Sequence, residues 1–233
     1  PEPTPPLAAR PKSLSVTEVE TLIRDPYAIY AKKVLRLRPV EELVRDPGAA
    51  ERGSLFHAIF EHIVTEEVDP LAPDALETTL AIARRLFDEE GLPPDIRATW
   101  WPRIEAAVSE IVQWEADRAA NVAQREAEIE ADPTLVGLTG VALTGRADRM
   151  DRRKSDDSID IIDFKTGTPP TAKSVGALLS PQLPLEGALL TRGAFVEFGA
   201  AKPGGMAYVQ VSSKGAVTER NVLKGDKANG DAD

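Results

Sequence analysis

Asp148, Asp163 and Lys165 are the residues whose types and spacing point most directly to chemistry. Asp163 and Lys165 close the run Ile159-Asp160-Ile161-Ile162-Asp163-Phe164-Lys165-Thr166-Gly167. Its β-branched apolar residues predict a short strand, in which residues two apart point to the same face. Asp148 lies upstream in Gly145-Arg146-Ala147-Asp148-Arg149-Met150-Asp151, which reads as another strand end. The polar stretch 151–158 reads as a hairpin-like connection. Paired antiparallel, the two strands would bring Asp148 and Asp163 together at one edge, with Lys165 beside them. Two carboxylates and an ammonium on one face can bind Mg²⁺ and activate a water against a phosphate. Asp-x-Lys alone is a weak signal, and the same residues also read as a surface hairpin with solvated charges.

A further candidate lies in Gly53-Ser54-Leu55-Phe56-His57-Ala58-Ile59-Phe60-Glu61. His57 and Glu61 are four apart and share one helix face, and Gly53, one turn earlier, allows close approach of a neighbouring backbone. A lone histidine is more often a satisfied, half-buried group than a ligand, and both readings stay open on these residues. His62 is assigned no role.

The elements that must position these groups fall into two stretches. Residues 1–12 read as a Pro-rich linker, so the chain reads as a piece of something longer. A helix opens at Leu14-Ser15-Val16-Thr17-Glu18, where Ser15 and Glu18 fit a capping box. Pro26 suits the first turn of a second helix. Residues 39–50 read as a loop. Helices are expected over 51–67, 74–90 and 96–120. Leu76, Leu80, Ala83, Leu86 and Phe87 are the expected apolar stripe of the middle one, and Trp100, Trp101 and Trp114 read as core. Strand character begins at 124. Residues 126–131 alternate in period two, and 135–143, broken by Gly137 and Gly140, reads as a second strand with a bulge or turn. Short helices over 171–179 and 180–190 and a strand over 206–211 follow, and 214–233 reads as a polar, flexible tail. This order predicts an α/β (α+β) fold with a mixed central sheet flanked by helices and a helical N-terminal part. Residues 13–213 are expected to form a single domain, mainly helical over 13–122 and sheet core with the site over 123–213.

Composition narrows the function classes. The 233 residues are 42% hydrophobic and 28% charged, an ordinary globular balance. No apolar run approaches the roughly 18 residues of a membrane span. With no cysteine there is no disulfide, thiolate zinc site or iron–sulfur cluster held by this chain. This fits a reducing, cytoplasmic setting. The net charge of −10 argues against a general nucleic-acid binder. Basic residues nevertheless cluster at Arg24, Lys32, Lys33, Arg36 and Arg38 and again around 146–154. The plain alternative for both clusters is solvated surface.

Four motifs occur in one order: Gly-xxx-His-xxx-Glu at 53–61, Gly-Arg-Ala-Asp-Arg at 145–149, Ile-Ile-Asp-Phe-Lys-Thr-Gly at 161–167 and Gln-Leu-Pro-Leu-Glu at 182–186. Jointly they resemble the RecB-type nuclease domain of the PD-(D/E)xK superfamily, which has a restriction-endonuclease-like core. More closely they resemble the C-terminal nuclease domains of the AddB family, alphaproteobacterial branch, over about residues 13–211. The resemblance implies His57, Asp148, Asp163 and the Phe164 carbonyl as ligands of Mg²⁺, for which Mn²⁺ can substitute. It implies Lys165 as the group that orients or activates water, and Gln182 as a positioning residue. Glu61 and Glu128 are weaker candidates behind the ligands, and Arg146, Arg149, Thr166 and Lys173 are the expected DNA contacts. The implied substrate is single-stranded DNA at broken ends, cut on the 5′-terminated strand during recombinational repair of double-strand breaks. The implied partner is the AddA helicase–nuclease subunit. Many AddB proteins hold an iron–sulfur cluster on cysteines that this chain lacks. Competing readings are a stand-alone RecB-like exonuclease and a non-catalytic DNA-binding or scaffold domain of the same fold.

Overall fold

The computed structural model describes residues 4–40 and 48–223. The chain forms two compact units. One comprises Pro1–Arg45, Glu130–Arg146 and Lys173–Lys202, and the other Asp46–Ile129, Ala147–Ala172 and Pro203–Asp233.

In the first unit a 3₁₀ turn at Leu7–Ala9 precedes β1 (Ser13–Ser15), which leads directly into α1 (Val16–Arg24). The capping box forms: Ser15 Oγ accepts the Glu18 N–H at 3.1 Å, and the Glu18 carboxylate accepts the Ser15 N–H at 3.0 Å. The helix begins after Leu14, because 13–15 is extended and pairs in parallel with residues 142–144. Asp25 caps α2 (Pro26–Ile29), with Pro26 in its first turn, and the chain continues as a π-helical turn at Tyr30–Val34. Lys32 and Lys33 on that turn each reach the Glu18 carboxylate at 2.9 Å. Burial pushes the Glu18 carboxyl up, but Lys33, the Ser15 N–H and Lys32 outweigh it and bring it down to about 2. The short α6 (Ala172–Gly176) and α7 (Gln182–Thr191) complete this unit. Gly145 permits the close packing of α1 and α7: a Cβ there would lie 3.2 Å from Val16 and 3.3 Å from Leu189.

The second unit holds the larger core. Its helices are α3 (Ala49–Thr65), α4 (Ala75–Glu89) and α5 (Pro94–Ala119). Leu55, Phe56, Ile59, Phe60 and Ile63 of α3 recur at helical spacing and pack with Ile104, Val108 and Ile111 of α5. Ile162 and Phe164 from β4 (Ile159–Lys165) and Val209 and Val211 from β5 (Pro203–Val211) close the cluster. β3 (Ala142–Arg153) runs antiparallel to β4, with Arg149 opposite Ile162 and Asp151 opposite Asp160. β4 and β5 are parallel, and β6 (Val217–Asn221) lies antiparallel on β5. β2 (Val122–Leu135) pairs with β3. The result is a mixed sheet flanked by helices, as expected, with six strands in the order β1-β3-β4-β5-β6 and β2 also on β3.

Three local expectations are corrected. Residues 135–143 are not a separate strand: β2 runs to Leu135, and Gly137 and Gly140, at φ 52° and 71°, shape the turn into β3. On α4 the buried stripe is Ala75, Thr79, Ile82, Ala83 and Phe87, while Leu76 is 40% exposed. Leu80 and Leu86 are partly buried and pack against the edge of this core. The tail does not begin at 214, since β6 finds its ladder partners on β5. Residues 41–47 of the expected loop, 1–3 of the linker and 224–233 of the tail lie outside the described residues.

Candidate metal centre

Four elements of the second unit bring the chemistry-bearing residues together. α3 carries His57, β2 carries Glu128, β3 carries Asp148, and β4 carries Asp163, Phe164 and Lys165. The β3–β4 ladder ends at Arg149 opposite Ile162, and continuing it by one residue sets Asp148 toward Asp163. Phe164 is held by stacking on Phe60 (centroids 3.6 Å apart, planes within 8°) and by the edge of Trp114 at 6.0 Å. Its fixed backbone organises two neighbours. The Phe164 N–H donates to Asp148 Oδ2 at 2.8 Å, and its carbonyl accepts from His57 Nε2 at 3.0 Å. A carbonyl only accepts, so the Nε2 proton is assigned and neutral His57 keeps a lone pair on Nδ1. That nitrogen lies 3.5 Å from Asp148 Oδ2 and 3.9 Å from Glu128 Oε1.

His57, Glu128 and Asp148 thus offer one nitrogen and two carboxylate oxygens within 4.8 Å of one another. Mixed imidazole and carboxylate donors suit a divalent cation, and hard oxygen donors suit Mg²⁺ or Mn²⁺. Glu128 has φ 51°, a left-handed conformation uncommon for a non-glycine residue and found disproportionately at functional sites. The electrostatics fit a cation as well. Burial, then repulsion from Asp163, raises the Asp148 carboxyl to about 6, against the opposing pull of His57, the Phe164 N–H and Lys165. Burial disfavours charged His57, yet Glu128, Asp148 and Asp163 outweigh it and raise its pKa. Crowded carboxylates that resist ionising together are relieved by a positive charge.

Asp163 and Lys165 share a face of β4, as period two requires. Lys165 Nζ reaches the Asp163 carboxylate at 2.8 and 2.6 Å and lies 5.9 Å over the Tyr208 ring. Asp163 is 1% exposed, whereas about a third of the Lys165 side chain is open to solvent.

Other expected site residues have different surroundings. Glu128, expected behind the ligands, stands among the potential donors. The Phe164 carbonyl, expected on the metal, spends one acceptor direction on His57. Glu61 is half-buried one turn along α3 and lies outside the three-residue group. Gln182, in the other unit, donates to Glu186 Oε1 at 3.3 Å. Thr166 is half-buried near Gly53, where a Cβ would meet its hydroxyl at 3.3 Å, so the close neighbour is a side chain rather than backbone. Arg146 and Lys173 are exposed. Arg149, expected to contact DNA, is corrected: it is 1% exposed and bound by Glu115 and Asp151. Strand parity carried that signal, since Arg149, one residue after Asp148, faces the opposite side of β3. Glu115 and Arg118 of α5 carry no motif and went unrecognised.

Among the described residues no helix is long and apolar enough to cross a membrane. The family model of the PD-(D/E)XK nuclease superfamily matches residues 13–232. An uncharacterized protein of Rickettsia bellii is 31% identical over 186 residues, covering 79% of this chain and 22% of that protein. An uncharacterized protein of Rickettsia conorii is 31% identical over 193 residues, covering 80% of this chain and 23% of its own length. The chain thus spans under a quarter of these relatives. A solved structure titled "Crystal structure of SSO0001" aligns over 89% of this chain and 77% of its own, at 13% identity and a TM-score of 0.29.

Proposed function

The chain belongs to the PD-(D/E)XK nuclease superfamily, and on that premise we propose that it is a Mg²⁺-dependent deoxyribonuclease hydrolysing phosphodiester bonds of single-stranded DNA. The observation that carries this reading is the convergence of His57, Glu128 and Asp148 beside the Asp163–Lys165 pair. His57, Asp148 and Asp163 would hold the cation with Glu128, and Mn²⁺ would substitute. A bound divalent cation supplies Lewis-acid charge neutralisation and an activated water at the phosphate.

The chain's own groups do the rest. The Phe164 carbonyl fixes the His57 tautomer, and its N–H fixes one Asp148 oxygen. Lys165, tethered by Asp163, presents its remaining N–H donors toward solvent, where they can orient the attacking water and meet charge developing on the phosphate oxygens. Exposed Arg146 and Lys173, with Thr166, are the groups proposed to touch the DNA backbone.

The same reading extends to context. The order of the four motifs supports the nuclease module of an AddB-type subunit that works with AddA in the cytoplasm on broken ends and cuts the 5′-terminated strand. The much greater length of the relatives supports a module within a larger protein.

The test is incubation of the purified chain with end-labelled single-stranded DNA and Mg²⁺, beside Asp163→Ala and an EDTA control. Cleavage lost with the mutation and with chelation is the expected result. Full cleavage by Asp163→Ala would place the centre elsewhere. Metal-independent cleavage would end the reading.

A further inference from the structure

The face of β3 opposite Asp148 carries a buried charge cluster that the nuclease reading does not use. Arg149 donates to Glu115 Oε1 at 2.9 Å and Oε2 at 3.2 Å, and its Nε donates to Asp151 Oδ1. Exposure is 2% for Glu115, 1% for Arg149 and 0% for Asp151. Arg118 adds a second tie, reaching Asp151 Oδ2 at 3.0 Å and Asp160 Oδ2 at 3.2 Å. Asp151 and Asp160 are directly opposite across β3 and β4. Facing like charges are unfavourable, and Arg118 bridges the two while Arg149 neutralises Asp151 and Arg153 neutralises Asp160.

The placement bears on the metal centre because β3 is buried on both sides there. Ala147 and Met150 are each 0% exposed, and they face opposite ways. Strand register is usually set by one apolar and one wet face, and a one-residue slip turns every side chain over. With both faces buried that contrast is missing. Charge supplies it. A slip would turn Asp148 toward the Glu115 carboxylate and take Arg149 from its partners, leaving buried charges unpaired. Buried ionic groups that select one register are the best-attested use of such clusters.

We propose that Glu115, Arg149 and Asp151 form a register lock for β3, positioning residues that hold Asp148 at the metal centre. The inference rests on the proposed centre, but one of its readouts does not. The Phe164 N–H is bonded to Asp148 Oδ2, so its exchange rate reports the position of Asp148 without metal. Arg149→Lys keeps the charge and loses the two-pronged contact to Glu115. The lock predicts Mn²⁺ binding about tenfold weaker in this variant, read by spin resonance below its melting temperature. It also predicts exchange about tenfold faster at Phe164, with the amide of core Val209 unchanged. Wild-type Mn²⁺ affinity and wild-type Phe164 exchange would overturn the lock, whatever the melting temperature. Should Arg149→Lys not fold, the triple change Glu115→Leu, Arg149→Met, Asp151→Leu removes the three charges together, leaves Arg118 on Asp160 and Glu219 and Arg125 on the Val68 carbonyl, and decides by the same readouts. Failure of both to fold also overturns the proposal, because the cluster would then hold the fold rather than the register. If wild-type protein and Asp148→Asn alike bind no Mn²⁺, the metal centre fails as a reading while Phe164 exchange still judges the lock.

Discussion

The imidazole Nε2 of His57 donates to the carbonyl oxygen of Phe164 across 3.0 Å. Through that bond, an apolar residue fixed by aromatic stacking decides which nitrogen of His57 is free. The free nitrogen, Nδ1, faces Asp148 and Glu128. The centre is therefore shaped as much by the packing of Phe164 on Phe60 as by its charged groups.

Lys165 is the first group to test. Lys165→Met is expected to lower cleavage by about 100- to 1000-fold, the usual loss when a donor to the developing charge is removed. The nearly buried Asp163 carboxylate then lacks its ammonium, so the metal-free variant should lose about 1–3 kcal/mol of stability. Thermal melts with and without Mn²⁺ check this: the metal should restore more stability to the variant than to the wild type. An equal response in both would count against a shared centre.

Glu128 pairs a carboxylate with an unfavourable backbone, and Glu128→Gly removes both. Glycine adopts φ 51° without strain. Its melting temperature should be unchanged or raised by a few degrees, corresponding to about 0.5–1 kcal/mol. Mn²⁺ affinity should fall about 10- to 100-fold. A clear drop in melting temperature with intact metal binding would make Glu128 a structural residue.

Acid should loosen the first unit through Glu18. Its folded pKa of about 2 lies below its ordinary 4.5, so folding favours the charged form. A depressed carboxyl contributes stability that is full above the unfolded value and lost as pH falls through the folded one. The window is therefore pH 4.5 down to about 2. Compared by chemical unfolding, wild type should exceed Glu18→Gln at neutral pH, and the gap should close across that window. A gap independent of pH would assign the difference to packing.

Gly53 and Thr166 should be energetically coupled. An alanine at 53 gains roughly 0.5–1 kcal/mol of helix propensity. Its Cβ also crowds the Thr166 hydroxyl at 3.3 Å. Gly53→Ala alone is expected to be near neutral, and in a Thr166→Ala background it should stabilise by about the propensity term. A double-mutant cycle measures the difference, and strict additivity would remove the contact from the account.

The candidate site was legible where it is local. Asp163 and Lys165 declare themselves through an apolar run followed by period-two spacing, and Asp148 through a second strand with a polar connection. Capping at Ser15 and Glu18 and the helix start at Pro26 were also readable, because each depends on a few adjacent residues. A basic residue beside a candidate metal-ligating acid resembles a DNA contact, but the parity of Arg149 places it on the other face. The span 135–143 was misread because glycines that make a turn also interrupt a strand.

Sequence alone determined the long helices and the central strands, the shared face of Asp163 and Lys165 and the family to which the motifs point. The first two follow from backbone periodicity, which acts over a few residues, and the third from the resemblance of the ordered motifs. Only the tertiary structure decided that Glu128 joins His57 and Asp148, that Phe164 sets the histidine tautomer and that Glu115 of α5 binds Arg149. Those pairings join residues far apart in the chain. Which of them form depends on how helices and sheet bury their apolar faces together, a property of the whole core that no local pattern encodes.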